Sequence, residues 1–166
     1  MSDPIWLDGY TGQSVDELLA LADSHRIDSL VVVLEQAIDQ KSARDGEASL
    51  SDEERVVLAV EALEREVNNG GYSQFFINSS VEYAPIVVDA LRKIGCEQTA
   101  EITDTAIAAL GVTDLSPESI DAAFADDDEV RDRALADCDG QYYEAGEDIA
   151  GRLFAFVRTH RDAFKL

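Results

Sequence analysis

Apolar residues recur at intervals of three and four along almost the whole chain, as at Val56, Val60, Leu63 and Val67, and sustained alternation is nearly absent. That period places apolar side chains on one face of a helix and would scatter them across a strand. An all-α fold of about seven to nine helices is the expectation. At 166 residues, 46% of them apolar, the chain is long enough for one domain with a buried core, and residues 1–166 are read as a single domain.

Helix signals punctuate the pattern. Ser14 and Glu17 have capping-box spacing before "VDELLALA", and Ser51 and Glu54 repeat it before the longest apolar stripe. Asp28 is the expected cap of "SLVVVLEQAIDQK". Pro85 is placed in the first turn of "EYAPIVVDALRKIG", which Gly95 closes, and Gly111 closes the alanine-rich helix that follows. Ser116 and Pro117 have N-cap and N1 chemistry, and the last helix buries Ile149, Leu153, Phe156 and Val157. If residues 117 to 139 are helical, part of their acidic set forms one exposed ridge.

One stretch departs from the rest. "VNNGGYSQFFINSSV", Val67 to Val81, contains no charge in a chain that is 29% charged. Asn68, Asn69, Gly70 and Gly71 tolerate positive φ, so they predict a helix stop and a sharp turn. Tyr72, Phe75 and Phe76 then anchor a corner in the core, with the amides of Asn68, Asn69, Gln74 and Asn78 satisfying backbone groups that the break frees. A small-ligand or partner groove is the competing reading of the same residues.

The motifs of familiar chemistry are missing. The Gly-Gly pair has no following lysine and no dinucleotide-binding spacing. Cys96 and Cys138 stand alone, and His25 and His160 lie far from each other and from both thiols, so no metal-ligand spacing exists and no cofactor is expected. An enzyme would need the fold to gather His25 or His160 with Ser73, Cys96 or Cys138.

Charge is the strongest compositional signal. The formal net charge is −22, and residues 101–150 hold fifteen acids against two bases. Such a chain repels nucleic acid and anionic membrane, so neither is an expected direct partner. The N-terminus "MSDPIWLDGYTG" lacks the basic start and apolar run of a secretion signal, and a cytoplasmic location is expected. Glu118, Asp121, Asp126, Asp127, Asp128, Glu129 and Asp132 are the candidate contact residues for a basic partner.

The run "NNGGYSQFFINSS", followed by "YAPIVVDALRKIGCEQTAEITDTAI", resembles the signature of the bacterial DNA mimic protein 19 family. The residues that carry the likeness are Asn69, Gly70, Gly71, Tyr72, Gln74, Phe75 and Asn78, then Ala90-Leu91 and Ile94-Gly95. The family pattern has a glycine soon after the Asn-Ser pair, where this chain has Ser80 and Val81. The resemblance implies an α-helical protein, a homodimer and, as in the family's best understood member, an acidic surface that imitates DNA and occupies a transcription factor's DNA-binding face; for this chain the expected partner is a basic transcription factor or nucleoid protein. The signature belongs to the fold, so mimicry rests on the charges. The alternative is an interaction or scaffold protein whose acidity is surface solvation: Asp outnumbers Glu by 20 to 15 and only three lysines occur, as in salt-adapted chains.

Overall fold

The computed structural model describes residues 3–166, and the fold is all-α. Eight α-helices occur among the described residues: α1 (Val15–Ala20), α2 (Ile27–Asp45), α3 (Asp52–Ile77), α4 (Val87–Lys93), α5 (Glu97–Ala109), α6 (Pro117–Ala123), α7 (Glu129–Ala145) and α8 (Ile149–Thr159). Short 3-10 turns span Leu21–Asp23, Glu47–Ser49, Ser79–Tyr83 and Arg161–Ala163. The chain divides into two compact units. One comprises the residues up to Glu61 with Asp148–Leu166, the other Ala62–Glu147, and α3 begins in the first and ends in the second.

In the first unit α2 packs against α1 and α8. Leu18, Leu30, Leu34, Ile38, Val57 and Leu153 are wholly buried there. The Ser14–Glu17 capping box forms as its spacing predicts. Asp28 does not cap α2: the helix starts at Ile27, and Asp28 lies in its first turn, paired with Arg26 at 2.6 Å. The N-terminal segment lies along α2, with Leu7 N–H donating to Ser29 Oγ and Tyr10 N–H to Gln36 Oε1. Among the described residues a single parallel bridge, Ile5 to His25, is the nearest approach to β-structure.

Ser51 and Glu54 form the second capping box, but Glu54 does more than its spacing suggests. Its fully buried carboxylate accepts two hydrogen bonds from Lys41 Nζ, at 2.8 and 2.9 Å, and one from Lys165 N–H at 3.1 Å. A buried ion pair persists only when the remaining lone pairs are used, and here they are.

In the second unit α5 packs against α4 and α7. Pro85 precedes helix α4 rather than opening it, because Ser79–Tyr83 forms a separate 3-10 turn. No side chain within α5's own flank caps it; Glu147 does so from a distance, accepting from Thr99 N–H at 2.8 Å and Thr99 Oγ1 at 2.6 Å. Thr103 Oγ1 then meets Tyr72 Oη at 2.8 Å inside the core.

Candidate functional site

The uncharged run folds where its composition predicts a break. Helical geometry fails at Gly70 and Gly71, with Gly71 at φ 79°, and resumes from Tyr72 to Ile77. Tyr72, Phe75 and Phe76 are buried, Phe75 against Phe76 edge-to-face at 5.3 Å and Tyr72 against Tyr142 at 6.0 Å.

The polar groups of the corner go elsewhere than expected. Asn68 Nδ2 bonds a backbone carbonyl, Glu64 O, and Asn69 is exposed. Gln74 Nε2, Asn78 Nδ2 and Ser80 Oγ instead converge on the buried carboxylate of Glu66, at 2.7, 2.9 and 2.9 Å. The N–H of Tyr72, freed by the break, donates to Asp139 Oδ1 of α7 at 2.7 Å. Asp139 lies so close that a Cβ on Gly71 would run into its carboxylate, and a Cβ on Gly70 would meet Gln74.

These carboxyls differ in their protonation energetics. Burial acts against the charge of Glu66, but its three hydrogen bonds outweigh that and hold its pKa below the ordinary value. Glu64, two residues earlier, has burial without compensation and is pushed up to about 7. Burial also raises Asp139, opposed by the Tyr72 N–H, and raises Tyr72 and Cys138.

The acidic residues are distributed over three kinds of position. Residues 117 to 139 are not one helix: α6 ends at Ala123 and α7 begins at Glu129. Across the separation the buried guanidinium of Arg131 donates to the carbonyls of Ala123 and Asp126 and lies 4.5 Å over the Phe124 ring. Asp128 is the N-cap of α7, accepting from Val130 and Arg131 N–H at 3.0 Å each. Asp132 pairs with Arg131 at 2.7 Å. Glu118 and Asp121 on α6, Asp126 and Asp127 in the connection, and Glu129 at the start of α7 are exposed. No carboxylate among these five makes a hydrogen bond or ion pair to another described residue.

Beside that acidic stretch lies a groove of about 370 Å³. Phe76, Ile77, Val81 and Pro117 supply its apolar lining and Glu118 and Asp121 its acidic side. Composition gave no sign of it, because Ile77 continues the apolar run yet is 63% exposed. A more polar groove of about 300 Å³ between α5 and α7 is lined by Gln98, Glu101, Ile102, Thr105, Gln141 and Glu144.

The other reactive side chains have local partners. His25 meets Ser24 Oγ at 2.9 Å, His160 meets the carbonyl of Phe156 at 2.9 Å, and Cys96 and Cys138 are buried and form no disulfide. No described helix is long and apolar enough to cross a membrane.

A family model described as DMP19-like protein matches residues 48–160, which include both the Gly-Gly corner and the acidic stretch. No curated protein matches the chain.

Proposed function

The chain belongs to the DMP19-like protein family, and from that premise we propose that it is a non-enzymatic acidic module that occupies the DNA-binding face of a basic protein, a transcription factor or nucleoid protein. One observation carries this reading: Glu118, Asp121, Asp126, Asp127 and Glu129 are exposed, close in sequence and uncommitted to partners within the fold. B-DNA presents about one negative charge per 1.7 Å of axis, and its protein partners bind through several lysine and arginine contacts at once. A cluster of uncommitted carboxylates offers such side chains charge-assisted hydrogen bonds in place of phosphates.

The test is capture from lysate by immobilised protein, eluted with a salt gradient and repeated with duplex DNA as competitor. The comparison bait is Asp126→Lys with Asp127→Lys. Neither carboxylate has a structural role, so the variant changes charge and leaves the fold intact. DNA-binding proteins held by the natural protein, displaced by DNA and lost from the variant support the reading. Equal retention by both baits refutes it.

The excess of Asp and scarcity of lysine favour a second reading, in which the acidity is surface solvation in a salty medium. That reading requires the melting temperature to rise steadily as salt is added from millimolar to molar concentration. A flat salt series removes it.

A further inference from the structure

We infer that the groove between the Phe76–Val81 segment and α6 is an anchoring pocket for a basic segment of a partner protein, taking one large apolar side chain flanked by lysine or arginine. The inference rests on the proposed function and adds to it the chemistry of the contact.

Three observations lead here. First, the groove's lining combines apolar and acidic residues: Phe76, Ile77, Val81 and Pro117 with Glu118 and Asp121. A purely cationic ligand would leave the apolar lining unused, and a purely apolar one would leave two carboxylates beside it without counter-charge. Second, Ile77 is 63% exposed although it directly follows two buried phenylalanines, so the groove presents apolar surface that the fold itself leaves uncovered. Third, both walls are held in place. Asn78 and Ser80 are tied to Glu66 on one side, while Ser116 caps α6 and Asp114 accepts from Ser116 N–H and Ser119 Oγ on the other. A pocket already fixed in shape loses little conformational freedom on binding.

Charge selects the occupant. A second copy of the chain would bring its own formal charge of −22 to a site bordered by Glu118 and Asp121, and like charges at close range oppose docking. A cationic segment gains from the same border. Roughly one or two large side chains fill a groove at the small end of ligand-pocket volumes.

The test uses two synthetic peptides of equal length and charge, alternating arginine and lysine around one central residue, leucine in one and serine in the other. Binding is followed by fluorescence anisotropy at physiological salt. The natural protein is expected to bind the leucine peptide about tenfold more tightly, from burial of one aliphatic side chain. Ile77→Ser, at an exposed position, should bring the two affinities together without changing that of the serine peptide. Glu118→Gln with Asp121→Asn should weaken both peptides by a similar factor. Equal binding of both peptides to the natural protein, or a leucine preference that survives Ile77→Ser, overturns the pocket and leaves the acidic-surface reading standing. If neither peptide binds, both are overturned.

Discussion

Asp139 accepts the backbone N–H of Tyr72 at 2.7 Å across 67 positions of sequence, at the point where Gly71 turns the chain out of helical geometry. The carboxylate and the missing side chain are complementary: the oxygen can approach the backbone only because Gly71 has no Cβ. Gly71→Ala therefore meets two penalties, positive φ and collision, and should destabilise the protein by about 2–4 kcal/mol in urea unfolding. Asp139→Ala should cost about 1–3 kcal/mol by leaving a buried N–H unsatisfied. In the double variant the alanine at position 71 should cost less than it does alone, because the collision is gone while the strain of positive φ remains. Strict additivity would show that the two residues are not coupled.

Glu64 and Glu66 should shape the pH dependence of stability in opposite senses. Glu64 is raised by burial from its ordinary 4.5 to about 7, so its contribution is fully present below pH 4.5 and is lost as pH rises through about 7. Glu64→Gln should raise the melting temperature at pH 8 and leave it little changed at pH 4. For Glu66, whose pKa is lowered, the contribution is present above the ordinary value and lost in acid. Glu66→Gln should accordingly destabilise at pH 7, with a deficit that narrows toward pH 3. A pair of melting profiles against pH checks both, and parallel curves for wild type and Glu64→Gln would contradict the first.

Asp127 and Asp128 are neighbours with different work. Asp128→Ala removes the cap of α7 and should cost about 1 kcal/mol of stability. Asp127→Ala removes an exposed, unpartnered carboxylate and should change stability by less than about 0.5 kcal/mol. Thermal melts of the two variants separate the roles. Partner capture, by contrast, should respond to charge reversal at position 127 without any change in melting.

Lys41 and Glu54 form a pair whose side chains are 9% and 0% exposed. Lys41→Met leaves the carboxylate buried with only the Ser51 and Lys165 N–H donors, and should destabilise by about 3–5 kcal/mol. Lys41→Met combined with Glu54→Leu should recover part of that loss, since no buried charge then remains unpaired. Chemical denaturation of the single and double variants measures the difference.

The mixture of what could and could not be read in advance follows the range of the forces involved. The spacing of Val56, Val60, Leu63 and Val67 announces a helix because one helix face depends on residues three and four apart. Ser14 with Glu17, Ser51 with Glu54, and Ser116 with Pro117 announce helix starts because a cap reaches its donors within three residues. Gly70 and Gly71 announce a break for a similarly local reason. Asp28 misled because a cap is chosen by where the chain leaves extended geometry, and the Ile5–His25 bridge fixes that point at Arg26. The acidic stretch was legible only in part. Its composition is compatible with one helix from 117 to 139, but the chain leaves helical geometry between Ala123 and Glu129, where Arg131 donates to the carbonyls of Ala123 and Asp126.

The sequence alone determined the helical class, most helix starts, the buried aromatic corner and the excess of negative charge. All of these depend on residue type and near neighbours. Tertiary structure alone decided which carboxylates are spent inside and which remain outside. Glu54, Glu66, Asp139 and Glu147 are consumed by donors that arrive with the fold, while Glu118, Asp121, Asp126, Asp127 and Glu129 are left to solvent. An acidic residue carries the same charge in either place. Whether that charge is buried and satisfied, or exposed and available, depends on packing partners up to 111 positions away, which no local pattern encodes.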